Sequence, residues 1–169
     1  MVDAKPVVVI VGAPGAGKTR LGKRVARTLN VPFIDTDKRI VAEHGLISEI
    51  FAQHGEPAFR AIERTTVVQA LREHAVVTLG GGAVLDPQTQ ADLADARVIQ
   101  ITVSPEAVIA RISNNKRPLL ANGIDAWVAL VEKRKPIYDR LSARSFDTSS
   151  LPLDTVAEEI VQWIRETGE

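Results

Sequence analysis

Short apolar runs recur along the chain, separated by stretches too long for hairpin turns: Val7–Val11, Pro32–Asp35, Val76–Leu79 and Val98–Val103, with a brief fifth candidate strand at Ser145–Asp147. The first is apolar at every position instead of every second one, the pattern of a strand buried on both faces of a sheet. Helical periodicity lies between the runs. Leu21, Val25 and Leu29, spaced by four, share one face of a helix from Lys18 through Leu29. Ser104-Pro105-Glu106 reads as an N-cap followed by proline at the first helical position, and opens a helix through Arg111. Val156, Ile160, Trp163 and Ile164 fall on one face of a last helix, from about Leu153 to Glu166, so Trp163 reads as core, and Trp127 likewise. Strands alternating with helices predict an α/β fold: a doubly wound, five-stranded parallel sheet flanked by helices, binding ligands outside the strands' carboxyl ends.

Two segments depart from the alternation. Asp37 to His74 is largely helical and long enough for two or three helices, which predicts an inserted substrate-binding region at about 38–74. Ser113 to Gly123 lacks a period and is rich in loop residues, which predicts a lid at about 112–123. No linker or repeat divides the 169 residues, so a single domain is expected.

The segment between the first strand and the first helix is Gly12-Ala13-Pro14-Gly15-Ala16-Gly17-Lys18-Thr19, which matches the phosphate-binding pattern G-x-x-x-x-G-K-[ST] at every fixed position. Glycines there let consecutive N–H groups turn inward toward phosphate oxygens, and the following helix adds a partial positive charge. Gly12, Gly15, Ala16, Gly17, Lys18 and Thr19 are therefore expected to hold ATP. In this arrangement Lys18 bridges the β- and γ-phosphates, and the Thr19 hydroxyl ligates Mg2+.

The composition narrows the partners. Twenty-one basic and 21 acidic residues give zero formal charge, which argues against a long basic face for nucleic acid or an anionic membrane. Any polyanion bound should be small. With no cysteine there is no disulfide framework, thiolate metal site or cysteine nucleophile, in keeping with a reducing cytoplasm. Met1 to Pro6 lacks the shape of a signal peptide, so a soluble cytoplasmic protein is expected. His44, His54 and His74 have no zinc-like spacing.

Several other residues are candidates. If the chain remains extended at the end of the second strand, Asp35 and Asp37 point to one face, one to hold Mg2+ through water and one to orient or deprotonate a substrate hydroxyl. Equally, Asp37 serves only to cap a helix starting at Lys38. Gly80-Gly81-Gly82, at a strand's carboxyl end, suggests close approach of a ligand to the main chain. Arg60 and Glu63, three apart on a helix opened by Gly55, read by themselves as a surface ion pair. In isolation the run Glu132-Lys133-Arg134-Lys135-Pro136 is an exposed charge cluster, and Arg117 a loop arginine.

In order along nearly the whole chain, these segments resemble the shikimate kinases, a branch of the nucleoside-monophosphate-kinase-like P-loop kinases. The resemblance rests on the phosphate loop, Asp-Thr-Asp at 35 to 37, Gly-Glu-x-x-Phe-Arg-x-x-Glu at 55 to 63, Gly-Gly-Gly at 80 to 82, Arg-Pro-Leu-Leu at 117 to 120 and Arg-x-Pro-x-Tyr at 134 to 138. It implies a P-loop kinase fold and transfer of the γ-phosphoryl of MgATP to the 3-hydroxyl of shikimate, on the route to chorismate and the aromatic amino acids. Carried over by position, Lys18, Asp37 and Arg117 are catalytic, and Arg111 and Arg117 join the nucleotide site. The resemblance gives shikimate to Asp37, Phe51, Phe59, Arg60, Gly81, Gly82 and Arg134, with Glu63 behind Arg60 and magnesium at Thr19 and Asp35. A monomer is expected, with shikimate and ATP as partners. Thr19 stands where serine is commoner, Arg20 where a small hydroxyl residue is usual, and the loop after Asp147 lacks arginines found in some relatives. Two other readings are a kinase for another small hydroxy acid such as gluconate, and a nucleotide-switched binding module. No Asn-Lys-x-Asp guanine-reading motif supports a GTPase.

Overall fold

The unbroken apolar run Val8–Val11 is completely enclosed because its strand lies in the middle of the sheet. The computed structural model, which describes residues 4–115 and 123–168, has strands β1 (Val8–Gly12), β2 (Phe33–Asp35), β3 (Val76–Thr78), β4 (Val98–Thr102) and β5 (Arg144–Asp147). They form one sheet in the order β2-β3-β1-β4-β5, every described pairing parallel, with Val9 opposite Val77 and Val98. Each strand falls where the apolar runs place it, to within a residue or two. The helices are α1 (Lys18–Leu29), α2 (Thr36–His44), α3 (Ile47–His54), α4 (Glu56–Ala70), α5 (Pro87–Leu93), α6 (Pro105–Asn115), α7 (Gly123–Leu141) and α8 (Leu153–Thr167), with a 3-10 turn at Ala83–Leu85.

Alternation along β1 divides the core into two layers. Val8 and Ile10 pack with Leu21 and Val25 of α1 and with Val156 and Ile160 of α8. Val9 and Val11 face the other way, toward Val67 of α4, Leu93 of α5 and Tyr138 of α7. Full burial of each such side chain contributes about 2 kcal/mol. Leu29, at the end of the apolar stripe of α1, is only partly buried.

The inserted region comprises three helices, α2 to α4, and they enclose a small core of their own from Ile40, Ile50 and Phe59. That local core keeps the region together although it adds no strand. Residues 112–115 continue α6 and Gly123 begins α7, so both margins of the expected lid are helical. The center of that segment, Arg117 included, lies outside the described residues. Pro136 sits inside α7, where it withholds the N–H that would bond to the Glu132 carbonyl.

Gly12 ends β1 at φ 147°, in a conformation that side chains rarely adopt, and a methyl there would collide with the Ile101 carbonyl. Only glycine lets β1 turn out of the sheet so close to β4. Among the described residues no helix is long and apolar enough to cross a membrane.

Candidate active site

Helix α1 begins with no side-chain cap; Gly17, at φ 95°, turns the chain into it. Its first N–H groups are therefore left for a ligand. Every carbonyl from Gly12 to Ala16 is engaged by a side chain. Lys18 Nζ donates to Gly12 O at 2.8 Å and Ala13 O at 3.0 Å. Trp127 Nε1 donates to Pro14 O at 2.8 Å, Arg111 to Gly15 O at 2.7 Å, and the Thr148 hydroxyl to Ala16 O at 2.7 Å. In a trans peptide the carbonyl and the next N–H point in opposite directions, so the ties on Pro14 O and Ala16 O turn the Gly15 and Gly17 N–H groups the other way, whereas the Ala16 N–H bonds to Ala13 O at 3.2 Å. Burial lowers the Lys18 pKa from 10.5 to about 8, against the attraction of Asp37 and Asp35, while Arg134 adds repulsion. Lys18 is thus a cation held in reserve by two carbonyls of its own loop.

The acidic pair is not extended as the sequence suggested. The chain enters α2 at Thr36, and the capping residue is Asp35 rather than Asp37: Asp35 Oδ1 accepts from the Lys38 N–H at 3.1 Å. The other oxygen of Asp35 accepts from the Thr19 hydroxyl at 2.8 Å, bringing together the two expected magnesium ligands. Asp37 lies in the first turn of α2 and is turned toward the glycines. Burial, helped by the charge of Asp35, raises its pKa above the usual carboxylate range, while Lys18 and Arg60 pull it down.

The three glycines after β3 each face one charged group. A methyl on Gly80 would lie 2.5 Å from Asp37 Oδ1, one on Gly81 2.8 Å from Arg134 Nη1, and one on Gly82 2.6 Å from Arg60 Nη2. None of the three needs a left-handed φ. Their lack of side chains instead lets a carboxylate and two guanidinium groups from α2, α7 and α4 converge on one strand end. Arg60 is held by Glu63 at 2.8 Å and Glu56 at 3.3 Å. Burial disfavours its charge, but the two carboxylates outweigh that and raise its pKa. Glu63 is buried, which raises its pKa against the pull of Arg60. The pair is therefore not the surface ion pair that its spacing alone implied. Phe59 is buried beneath Arg60 and packs on Phe51 at 5.0 Å between ring centroids, but Phe51 is 37% exposed, at the rim.

Arg111 bonds to the phosphate loop and to the Thr148 carbonyl, at 2.7 and 2.5 Å. Its pKa is lowered by burial and by nearby Arg20, against the attraction of Asp147. Four polar contacts went unread in the sequence. Thr36, completely buried, accepts from the Gly80 N–H at 3.2 Å. Trp127, expected as core, is 2% exposed and also grips the phosphate loop. Thr148 and Tyr138 bond to loop carbonyls. For Tyr138 a signal existed, since it follows Arg134 by four residues on one helix face.

The shikimate kinase family model matches residues 14–165. A shikimate kinase of Thermobifida fusca is 40% identical over 171 residues, covering 99% of both chains. One of Corynebacterium efficiens is 38% identical, covering 96% of this chain and 99% of the relative. Among solved structures, the shikimate kinase of Acinetobacter baumannii in complex with shikimate superimposes with a TM-score of 0.87 at 27% identity, covering 98% of this chain and 95% of that one. A gluconokinase of Sinorhizobium meliloti shares the fold alone, with a TM-score of 0.59 at 16% identity. With the phosphate loop, the acidic pair and the glycine-backed arginines in their places, these matches are decisive: the chain belongs to the shikimate kinase family, ATP-dependent kinases of shikimate.

Proposed function

We propose that the chain moves the γ-phosphoryl of MgATP to the 3-hydroxyl of shikimate, using the residues gathered between the phosphate loop and the three glycines. The observation that carries the reading is the register of Gly80, Gly81 and Gly82 against Asp37, Arg134 and Arg60. Two guanidinium groups beside a carboxylate suit a small, hydroxylated carboxylic acid: the planar arginine donors take both carboxylate oxygens, and Asp37 accepts from a hydroxyl.

In the reaction the hydroxyl oxygen forms a bond to the γ-phosphorus as the bridging bond to the β-phosphate breaks, and ADP leaves. Asp37 orients the hydroxyl and receives its proton, to which its raised proton affinity is suited. Lys18 exchanges its two carbonyls for phosphate oxygens, and Arg117 adds positive charge at the transferring group, because a loose transition state relies on positioned cations. The Thr19 hydroxyl and the Asp35 carboxylate, 2.8 Å apart, are hard oxygen donors that fit Mg2+, an ion that keeps several waters and takes few protein ligands. Bound there with ATP, the ion supplies charge neutralisation at the phosphates. Arg111 secures the loop that cradles them. We further propose that residues 1–169 act as one domain, a monomer in the cytoplasm, with no nucleic-acid or membrane partner.

ADP release with purified protein, MgATP and a panel of shikimate, quinate, gluconate and a nucleoside monophosphate tests the reading. Turnover on shikimate is expected, lost in Arg60→Ala, with kcat lowered about 10³-fold or more in Arg117→Ala. Turnover on gluconate or a nucleotide in its place would refute the substrate pocket. An unchanged kcat would remove Arg117 from catalysis.

A further inference from the structure

The Gly81 carbonyl accepts a 2.7 Å hydrogen bond from the phenol of Tyr138, which is 1% exposed and projects from α7. On the same strand end, the Gly80 N–H is taken by Thr36, and the Gly80 carbonyl accepts from the Ala83 N–H at 3.0 Å. Gly82 is buried, yet its own N–H has no hydrogen-bond partner among the described residues. A buried donor without a partner is costly, and such a donor beside two arginines and an aspartate marks a place where a ligand oxygen completes the bonding.

The orientation of that N–H follows from the carbonyl one bond away. The described chain has no cis peptide, so the Gly81 carbonyl and the Gly82 N–H point in opposite directions. With the carbonyl tied to α7, the N–H faces away from α7. We propose that Tyr138 is a positioning residue: its phenol turns the Gly81–Gly82 peptide so that the Gly82 N–H donates to an oxygen of the bound substrate. The inference rests on the shikimate reading above and names what sets the geometry of its backbone contact. A carbonyl only accepts, so the phenol is the donor. Burial raises the Tyr138 pKa, against the pull of Arg134, and keeps the phenol protonated. Arg134 and Tyr138, four apart on one face of α7, both abut Gly81: a methyl there would lie 3.7 Å from the phenol oxygen.

Tyr138→Phe keeps the ring and removes only the hydroxyl. In the full-length protein, kcat/KM for shikimate is expected to fall about tenfold, the equivalent of one net hydrogen bond, with the KM for ATP unchanged. In 15N-labelled wild-type protein, added shikimate should displace the Gly82 amide resonance, and the displacement should shrink in the variant. Three results overturn the proposal: a Gly82 amide unmoved by shikimate in the wild type, an equal displacement in the variant, or a parallel loss of shikimate affinity, ATP affinity and thermal stability. A wild-type protein that fails to phosphorylate shikimate would instead overturn the underlying substrate reading.

Discussion

Lys18 carries a charge that the nucleotide-free fold holds at a cost, and the cost is readable in the pH dependence of stability. Its folded pKa, about 8, lies below the ordinary 10.5 because burial strips water from the ammonium. Below about pH 8 both folded and unfolded chains carry the proton, and the full penalty is present; as pH rises toward 10.5 the folded chain sheds its proton first and the penalty disappears. Stability contributed by this group therefore rises with pH. The interval between the two pKa values corresponds to about 3 kcal/mol in a dry site. Solvent reaches the half-buried side chain, so an effective penalty of about 1–2 kcal/mol is expected. Urea unfolding of wild type and Lys18→Met, without nucleotide, isolates it. Lost bonds to the Gly12 and Ala13 carbonyls enter at both pH values and leave the comparison intact. Between about pH 7 and pH 9.5 the wild type should gain about 1 kcal/mol relative to the variant. Saturating MgATP should abolish that gain, since phosphate oxygens replace the carbonyls and favour the charged lysine. A flat difference, or one that falls with pH, would refute the buried-cation account, and the variant should be inactive at either pH.

Two glycine substitutions separate fold from function. Gly12→Ala sets a methyl against the Ile101 backbone at a positive φ, so a loss of about 3 kcal/mol or more is expected in urea unfolding. Gly82→Ala meets only the movable end of Arg60, so it should cost under about 1 kcal/mol while raising the KM for shikimate about tenfold or more. Trp127→Phe removes the donor to Pro14 O, and the KM for ATP should rise about fivefold to tenfold with that for shikimate unchanged. A rise in both would mean that the indole matters only as core.

Periodicity and spacing made much of this legible in advance. Val8–Val11 announced a central strand because a strand enclosed on both faces has no polar side to show, and Leu21 and Val25 announced a helix with one buried face. The glycine run suggests close approach of a ligand; what the structure places beside it is the Asp37, Arg134 and Arg60 side chains. Which carboxylate caps α2 is not legible in the sequence, because Asp35 and Asp37 are equally good capping residues and only the point where β2 ends decides between them. The burial of Glu63 was not readable from its spacing to Arg60. An i,i+3 pair looks the same in sequence whether solvent or Phe59 and the glycines lie beside it.

Apart from Thr36, which accepts from the Gly80 N–H, the contacts that the sequence does not show share one physical character. Trp127, Thr148 and Tyr138 each donate to a backbone carbonyl far along the chain, as does Arg111, which the family resemblance already places at the nucleotide site. Every residue has a carbonyl, so the receiving end leaves no mark in the sequence, and the donor alone is indistinguishable from a core aromatic or a surface polar residue. These bonds nevertheless determine which way the ligand-facing peptides point. The two loops share one device: the Pro14, Ala16 and Gly81 carbonyls are tied to Trp127, Thr148 and Tyr138, and the N–H groups opposite them, on Gly15, Gly17 and Gly82, point the other way. Helix α7 carries one tie to each loop, Trp127 to Pro14 and Tyr138 to Gly81, at residues eleven apart, or about three helical turns. A displacement of α7 along its axis would therefore disturb both sets of donors together, whereas loss of either side chain disturbs only one. The contrast between Trp127→Phe, read in the KM for ATP, and Tyr138→Phe, read in the KM for shikimate, follows from that arrangement.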